Sequence, residues 1–360
     1  SRSTRNAKEP KRFGQGDSGI YHRGMRRQRS TIRDVARKAG VSVTTVSHTF
    51  SGNGVVNEAT QARVRAAATE LGYHPDVVAS GLRRSRLGVI GLVLRPAVGA
   101  EPQQIQDVDY FPRFAGAAAL ASLGQGYALM LVADPTVPHA PTTAWACDGI
   151  IVTDPVVDDP LVAALRAGGM PYTLVGADPE DPDDPHVIDI ATGPITDRVL
   201  DHLAAAGATR IALVLGTDPI EWNAATERRY RERTPPADQL VRHVPERSDP
   251  SEGAAAADEL LALPEPPDGV YCMTSDHARA LVDRLVARGV RVPEDVRVVC
   301  GSDADSLRNS VPEITAVDLQ PQALGRQAAA ELLRQLEPGL ALEVPEPEHG
   351  TLVERRSSRV

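Results

Sequence analysis

The sequence predicts an α/β protein in which a compact three-helix unit precedes two lobes of doubly wound parallel sheet. Residues 30–74 contain three short helical segments with clear start and stop signals. From Leu87 onward, short apolar strands alternate with helical stretches. At 360 residues the chain is also too long for one typical domain of about 100 to 200 residues.

The first two predicted helices are joined by a very short turn. Thr31 and Asp34 form a capping box that starts the first helix, IRDVARKA. Gly40 supplies the left-handed residue that ends this helix, and Ser42 then caps the second helix, VTTVSHTF. A turn of this length makes the two helices cross steeply, which is typical of a helix-turn-helix.

A third predicted helix completes the small unit. Asn57 caps the segment EATQARVRAAATEL, and Gly72 ends it. The three helices share apolar residues at helical spacing, enough for one small core: Ile32, Val35, Ala36, Ala39, Val41, Val46, Phe50, Val64 and Leu71. This pattern predicts a compact three-helix domain.

The larger part of the chain has the pattern of parallel sheets covered by helices. Its predicted strands are GVIGLVL, YALMLVA, DGIIV, PYTLV, RIALVL, DGVYCM and VRVVC, with helical stretches between them. So many strand–helix units fit two lobes better than one sheet. A ligand is expected in the crevice at the carboxyl ends of the strands.

These patterns divide the chain into four predicted segments. They are a disordered basic tail over 1–29, the helix-turn-helix unit over 30–74, a hinge helix or linker over 75–86, and a two-lobed domain over 87–356. The first lobe is predicted to take about residues 87–190 and 294–318, and the second about 191–293 and 319–356.

Charge is divided unevenly along the chain. Residues 1–86 hold 17 Lys and Arg against 6 Asp and Glu, a net charge of +11, whereas the remainder has a net charge of −20. The two parts therefore cannot share one polyanionic partner. The basic part is the candidate for nucleic-acid binding.

Composition argues against a membrane protein or an exported one. No apolar run approaches the roughly 18 residues of a membrane span, and the polar N-terminus lacks the apolar core of a signal peptide. Cys147, Cys272 and Cys300 lie far apart without metal-ligand spacing, so they are predicted to be reduced core thiols. We expect a cytoplasmic protein without a metal or a cofactor.

Two parts of the chain resemble the lac repressor (LacI/GalR) family of transcription regulators. The segment TIRDVARKAGVSVTTVSHTFSGNGVVNEATQARVRAAATELGYHPDVVASGL is similar to the DNA-binding head and hinge of that family. The segments DGIIV, HLAAAGATRIALVLG and TSDHARALVDRLVARGVRVPEDVRVVCGSD are similar to its effector domain, which itself resembles periplasmic sugar-binding proteins. The resemblance covers about residues 30–356.

The resemblance implies DNA contacts on the second helix, which enters the major groove in this motif. It places base reading on Val43, Thr44 and His48. It places phosphate or backbone positioning on a second set: Ser42, Thr45, Ser47, Thr60 and Tyr73. His48 stands where the family usually has Arg, and a His side chain cannot make the bidentate Arg contact to guanine.

The resemblance also implies a hinge helix that folds on DNA. Its minor-groove contacts fall on Ala79 and Leu82, with Leu82 as the wedge that kinks the duplex at a central step. Ser80 and Gly81 stand where the family usually has larger residues, which makes folding of the hinge more dependent on DNA. The alternative interpretation of Leu82 is an ordinary linker residue.

In the larger domain the resemblance implies effector contacts at Asp276, Arg228 and Asp303. A carboxylate at a strand end accepts paired sugar hydroxyls, and an Arg clamps hydroxyls or a carboxylate. The alternative for Asp276 is a helix N-cap.

Further side chains are candidates for the pocket. Trp222, near Arg228, is either a surface on which a sugar stacks or a packing residue. Candidates for the remaining lining are Phe111 and Asp154.

Together these observations predict a homodimeric repressor that binds pseudo-palindromic double-stranded operator DNA and responds to a small, sugar-like effector. One alternative is a DNA-binding regulator with a vestigial pocket. A second is an α/β enzyme, although the sequence has no P-loop, GxGxxG, GxSxG or HExxH motif. A third is a solute-binding protein of transport, which would need an export signal and no basic helix-turn-helix.

Overall fold

The computed structural model of the chain describes residues 30–51, 54–74, 86–95, 109–181, 183–246, 249, 251–342 and 350–359. The chain divides into two compact units, Ser1–Ser80 and Gly81–Val360. The predicted tail and nearly all of the predicted hinge, with Ala79 and Leu82, lie outside the described residues. The roles assigned to these two residues stay predictions.

The small unit is a bundle of three helices, as predicted. They are α1 (Ile32–Ala39), α2 (Val43–Ser51) and α3 (Glu58–Leu71). All nine predicted core residues belong to its single apolar cluster, which also includes Ala67, Ala68 and Tyr73. The prediction of one shared core is therefore confirmed.

The helix ends have the capping interactions that the sequence predicts. The Asp34 carboxylate accepts the Thr31 backbone N–H at 3.0 Å and the Thr31 hydroxyl at 2.7 Å. The Asn57 side chain accepts the Thr60 backbone N–H at 2.8 Å. Gly40 follows α1 with φ 64°, a conformation that glycine adopts without steric cost. These local signals place α1 and α3 before any tertiary contact is considered.

The large unit contains two sheets, and the first has five parallel strands in the order β2-β1-β3-β4-β5. Its strands are β1 (Val89–Val93), β2 (Ala128–Leu131), β3 (Gly149–Thr153), β4 (Tyr172–Val175) and β5 (Val187–Ile188). Strands β3 and β4 are buried along their whole length. Their uninterrupted apolar runs are typical of parallel strands covered on both faces.

The second sheet has six strands in the order β11-β10-β9-β8-β6-β7. They are β6 (Ile211–Leu215), β7 (Leu240–His243), β8 (Gly269–Cys272), β9 (Arg297–Cys300), β10 (Thr315–Asp318) and β11 (Thr351–Val353). All neighbours are parallel except the edge strand β11, which is antiparallel to β10. The two doubly wound lobes of the prediction are thus present.

Helices connect and cover these strands. They are α4 (Tyr110–Gly124), α5 (Pro160–Gly168), α6 (Thr192–Ala205), α7 (Glu221–Arg233), α8 (Ser251–Leu261), α9 (Ser275–Ala287), α10 (Asp305–Arg308) and α11 (Pro321–Leu336). Two short 3₁₀ turns lie over Thr142–Ala146 and Pro236–Asp238.

The structure corrects the predicted boundaries of the lobes. Strands β9 and β10 were assigned with 294–318 to the first lobe, but β9 pairs with β8 and β10 pairs with β9 in the second sheet. Helix α11, assigned with 319–356 to the second lobe, packs on α4, β3 and β4 of the first. An apolar run predicts a buried strand but not its neighbour, because buried parallel strands of either sheet have the same composition.

Two of the turns at which the chain changes lobes have the same construction. Ala191 (φ 57°) and Gln320 (φ 54°) precede α6 and α11 in the left-handed conformation, which is unfavourable for residues other than glycine. In each turn an aspartate accepts the backbone N–H of that residue, Asp189 for Ala191 and Asp318 for Gln320, both at 2.9 Å. These side-chain hydrogen bonds stabilise the turns locally.

Gly325 is a point of very close approach between α11 and α4. A Cβ at this position would come within 2.3 Å of the Phe114 carbonyl oxygen and 3.1 Å of the Ala118 backbone nitrogen. Backbone atoms within a helix cannot rotate away as a side chain can. The two helices therefore pack at a distance that only glycine permits.

Gly325→Ala is expected to lower the free energy of unfolding by about 1–3 kcal/mol, because the helices must separate to admit the methyl group. Chemical denaturation followed by circular dichroism measures this change. Gly193→Ala in α6 is the matched control, since no atom lies within 4 Å of a Cβ there. Equal stability of the two variants would contradict the close packing at Gly325.

Candidate DNA-reading helix and effector crevice

Helix α2 has one buried face and one exposed face. Val46 and Thr49 are buried against the small core, whereas Val43, 42% exposed, and Thr44 lie on the outside. His48, one turn after Thr44, is partly exposed on the same side. The structure therefore brings the three predicted base-reading residues to the open side of the helix.

The residues predicted to position phosphates have different environments. Ser42 caps α2, since its Oγ accepts the Thr45 backbone N–H at 3.0 Å and lies 2.8 Å from the Thr45 hydroxyl oxygen. Tyr73 packs against Phe50, with ring centroids 6.1 Å apart, so its ring also supports the core. Two further positions are partly exposed: Ser47 and Thr60.

The contact beside His48 was not predicted from the sequence. A Cβ built at Gly54 would lie 2.4 Å from His48 Nδ1, so only glycine leaves room for the imidazole ring in this position. The signal available in the sequence is the glycine-containing segment GNG directly after α2. Gly54 thus helps to determine where the His48 ring lies on the DNA-reading face.

A narrow crevice lies between the two lobes at the carboxyl ends of the strands. Its lining residues follow β3, β4 and β5 or begin α6 and α7: Asp154, Pro155, Gly176, Ala177, Ile190, Thr192, Ile220, Glu221 and Trp222. Doubly wound sheets bind ligands at this edge. The free volume of the crevice is about 10 Å³, roughly that needed for one water molecule and far below the roughly 300–1,000 Å³ of ligand pockets in general. A ligand of sugar size therefore requires the lobes to separate.

Asp154 has an unusual electrostatic environment in this crevice. Burial raises the pKa of Asp154 to about 7, and the negative charge of Asp218 raises it too, whereas the Thr153 side chain and Arg95 oppose the rise. Burial also raises the pKa of Tyr110, with a contribution from Asp154. The raised pKa favours the protonated form of Asp154 relative to an exposed carboxyl group.

Two residues predicted to bind the effector lie at or beside the crevice. Trp222 lines it and also packs on the apolar core of the second lobe, so its position is compatible with both interpretations. Arg228 is 58% exposed and donates from Nη2 to Glu221 Oε1 at 2.8 Å. Glu221 was missed by the sequence reasoning, and its place directly before Trp222 is the signal that could have found it.

Asp303 has a structural role in this protein. Its carboxylate accepts two hydrogen bonds from Arg355, both of 2.8–2.9 Å, and two from Arg308, of 2.9 and 3.1 Å. Burial acts to raise the pKa of Asp303, but the two arginines outweigh it and hold the pKa below its usual value. Because these hydrogen bonds occupy both carboxylate oxygens, they argue against the predicted effector contact.

The remaining two predicted effector residues are not among those that line the crevice. Asp276 is exposed at the second position of α9, close to the carboxyl end of β8. Thr274 is the N-cap of that helix, so the interpretation of Asp276 as the N-cap is wrong. Phe111 is partly exposed, and its ring meets the Tyr110 ring edge-on with centroids 5.4 Å apart.

A backbone bridge and an ion pair connect the lobes within the described part of the chain. Val156, which follows β3, and Ile220, which precedes α7, form an antiparallel backbone bridge beside the crevice. Arg308 of the second lobe approaches Asp109 of the first, with Nη2 3.8 Å from Oδ2. Opening of the crevice has to break or lengthen these contacts.

One group of side chains has the order of a hydrolase triad but cannot act as one. His202 Nε2 lies 2.7 Å from Ser358 Oγ, and His202 Nδ1 lies 3.9 Å from Glu354 Oε1. Ser358 is only 1% exposed, and its hydroxyl donates to Thr315 Oγ1 at 2.6 Å. A substrate cannot reach this hydroxyl, and the group serves to fasten the C-terminal segment.

The described part of the chain offers few other sites for chemistry. Its three cysteines, Cys147, Cys272 and Cys300, are buried free thiols. In the residues that the structure describes, no three His, Cys, Asp or Glu side chains are grouped so that they could hold a metal ion. None of the helices described above combines the length and the apolar character needed to cross a membrane.

Relatives with assigned roles are transcription regulators. The chain is 27% identical over 321 residues to the repressor PurR of Vibrio atlanticus (strain LGP32), an alignment that covers 85% of this chain and 92% of the relative. It is 29% identical over 324 residues to the regulator CelR of Thermobifida fusca, covering 86% of this chain and 93% of the relative.

Solved structures show the same architecture. A complex of the transcriptional regulator CelR with cellobiose is 25% identical, with a TM-score of 0.63, and covers 91% of this chain and 100% of that chain. The lac repressor dimer bound to operator and the anti-inducer ONPF has a TM-score of 0.74 at 22% identity, covering 92% of this chain and 99% of that chain. The second comparison shows the shared fold.

Two family patterns match the two units of the chain. The pattern of the family "Bacterial regulatory proteins, lacI family" matches residues 31–76. The pattern of the periplasmic binding protein-like domain matches residues 200–358. With the geometry above, these matches define a DNA-binding transcription regulator rather than an enzyme. Residues 31–76 therefore match the DNA-binding domain of lacI-family regulators, and residues 200–358 match a periplasmic binding protein-like domain, which confirms the resemblance predicted from the sequence.

Asp154→Asn is expected to stabilise the protein above neutral pH. An acid with a raised pKa stays protonated in the folded state while it ionises in the unfolded chain, so stability falls as pH rises from about 4 to about 7 and stays lower above that. Asparagine does not ionise, so the variant does not lose this stability as the pH rises. The melting temperature of the variant should exceed that of the wild type by several degrees at pH 8, and by less at pH 5.

Asp158→Asn is the matched control, because Asp158 is exposed and lies outside the crevice. Differential scanning calorimetry at both pH values measures the three proteins. The control should melt with the wild type throughout. If the melting temperatures of the wild type and of Asp154→Asn changed equally between pH 5 and pH 8, the raised pKa of Asp154 would be contradicted.

Proposed function

We propose that this protein is a cytoplasmic repressor that binds a pseudo-palindromic operator as a homodimer and is controlled by a small effector bound between its lobes. The exposed side of α2 is the observation that carries the DNA-binding part of this proposal. Its opposite side is buried in the small core, so the Val43, Thr44 and His48 side chains are available to base edges.

The three side chains suit different base contacts. The Val43 methyl groups can pack on a thymine methyl, and the Thr44 hydroxyl can bond to several base edges. The His48 imidazole can make one hydrogen bond to a base edge, whereas an Arg guanidinium group makes two parallel hydrogen bonds to guanine. Exposed arginines on α1 and α3, Arg33 and Arg63 among them, supply charge for phosphates. Operator binding is therefore expected to weaken steeply as salt rises.

An apolar surface on the first lobe supports the homodimer. Leu120 and Leu123 on α4 are 73% and 68% exposed, and Leu131 on the edge strand β2 is 62% exposed, with Met130 beside it. We take the exposed apolar side chains of α4 and β2, two elements in contact, as an apolar patch of the kind that soluble proteins usually cover. A second copy of the chain could also shield the open edge of β2.

The crevice supports control by a small molecule. It combines apolar residues with convergent polar groups at the carboxyl ends of the strands, and CelR has been solved with cellobiose. A ligand that binds the closed lobes more tightly than the open ones would bias the DNA-competent state. The small volume of the crevice and the Val156–Ile220 bridge favour a second candidate, a regulator that acts without an effector.

Thr44→Ala and His48→Ala are expected to weaken binding to the selected operator about 2- to 10-fold, because each removes a single base contact worth about 0.5–1.5 kcal/mol. Binding to unrelated DNA should change little. Selection from a random DNA pool with the wild type supplies the operator, and fluorescence anisotropy at fixed salt measures the affinities.

Thr69→Ala is the control for these variants, because Thr69 is exposed on α3 and its hydroxyl bonds only within that helix, to the Arg65 carbonyl at 3.0 Å. It should bind operator like the wild type. An equal loss on operator and unrelated DNA would rule out base reading by α2.

Leu120→Glu and Leu131→Glu are expected to convert the dimer into monomers, because each places a charge in the apolar patch. Analytical ultracentrifugation at micromolar concentration measures the change. Val311→Glu is the control, since Val311 is 83% exposed on the second lobe, outside the patch. A wild type that sediments as a monomer, or patch variants that stay dimeric, would refute this interface.

A further inference from the structure

We propose that the effector carries an organic ammonium group, which binds between Asp154 of the first lobe and Glu221 of the second while its carbon skeleton packs on Trp222. This inference rests on the proposed effector role of the crevice. It names the chemical class of the ligand, a small organic cation, which neither the fold nor the family determines.

Carboxylates reach the crevice from both lobes. Asp154 follows β3 of the first lobe, and Glu221 begins α7 of the second, and both line the crevice. Asp218, in the turn between β6 and α7, is near enough to Asp154 to affect its ionisation. A cation between the lobes would therefore meet negative charge on either side, and the attraction would hold the lobes together.

The positive charges nearby are already engaged. Arg95 donates to Asp134 Oδ2 at 2.9 Å and to Asp159 Oδ1 at 2.8 Å, so it faces two carboxylates of its own lobe. Arg228 reaches Glu221 from an exposed position, where water screens its charge. Among the described residues of this edge, carboxylates thus outnumber guanidinium groups, so this part of the crevice presents net negative charge to a ligand.

Among the described residues, the positive charge near Asp154 offsets the effect of its burial only in part. A carboxylate paired with a close cation has a lowered pKa, whereas the pKa of Asp154 is raised to about 7. The groups around it are Arg95 at the end of β1, Tyr110 at the start of α4, Asp218 and Glu221, and they do not fully offset its burial. An ammonium group would supply that charge, so binding should strengthen as pH rises through about 7.

The rest of the lining suits the body of an organic cation. Of the described lining residues, Trp222 is aromatic, and Ile190, Ile220 and Pro155 add apolar surface. The face of a Trp ring attracts an ammonium group electrostatically, more strongly than other aromatic rings do. An anionic ligand would face the carboxylates directly, and an uncharged sugar would leave the Asp154 charge uncompensated.

Choline and its uncharged isostere 3,3-dimethylbutan-1-ol have the same shape and differ in charge, so they test this inference directly. The fluorescence of Trp222 in a Trp145→Phe background reports binding, and calorimetry of the wild type checks the result without that substitution. At pH 8 and matched ionic strength, choline should bind at least 10-fold more tightly than the alcohol. Its affinity should fall several-fold between pH 8 and pH 6.

Three variants separate charge recognition from other effects. Asp154→Asn and Glu221→Gln should each weaken choline binding at least 5-fold and leave the alcohol unaffected. Arg228→Gln should strengthen choline binding, because it frees Glu221 from a competing cation, whereas an effector clamp at Arg228 would give a loss. Asp158→Asn, outside the crevice, should behave like the wild type.

Equal affinity for choline and the alcohol, no choline binding at tens of millimolar, or weaker choline binding by Arg228→Gln would each overturn the proposal. Anisotropy with the selected operator, run on the same preparations, distinguishes this failure from failure of the proposed function. Intact operator binding without a preference for choline refutes the ammonium site alone. A preference for choline without operator binding refutes the proposed repressor and leaves the site in place.

Discussion

The packing of α11 on α4 is the contact on which the large unit depends. The helices come from opposite ends of that unit, and Gly325 allows their backbones to approach at Phe114. Because α11 completes the first lobe, the chain has to leave that lobe after β5 and return to it after β10. The turns at Ala191 and Gln320 follow from this path. They tether the lobes at the carboxyl ends of their strands, where a crevice necessarily forms.

That edge gathers carboxylates, and the protein compensates most of them with arginine. Asp303 is held by Arg355 and Arg308, and Asp159 is held by Arg95. These pairs fasten loops and helix ends, and their charges are balanced within one lobe. Asp154 differs, because among the described residues the charge of Arg95 offsets the effect of its burial only in part. A crevice with one incompletely compensated acid is better suited to a ligand than to further stabilisation of the fold.

The DNA-binding unit is built on different principles from the effector unit. Its three helices form a core of their own, and its helix ends are satisfied by neighbouring side chains, so it does not need the sheets to fold. The burial of Val46 and Thr49 leaves the other side of α2 open. Because the two parts of the chain have opposite net charges, a polyanion is attracted to the basic part and repelled by the acidic part.

The sequence by itself determined the helices of the head, their caps, the strands of the large unit and the family, because these depend on residues close together in the chain. Thr31 and Asp34, or the apolar run of β3, carry their signal locally. Only the tertiary structure decided that β9 and β10 belong to the second sheet and α11 to the first lobe. It also decided that the Asp303 carboxylate pairs with Arg355 and Arg308, whereas Asp154 and Glu221 line the crevice. The physical reason is that strand pairing, burial and ion pairing are set by neighbours distant in sequence, and a carboxylate looks the same in sequence whether an arginine, water or a ligand faces it.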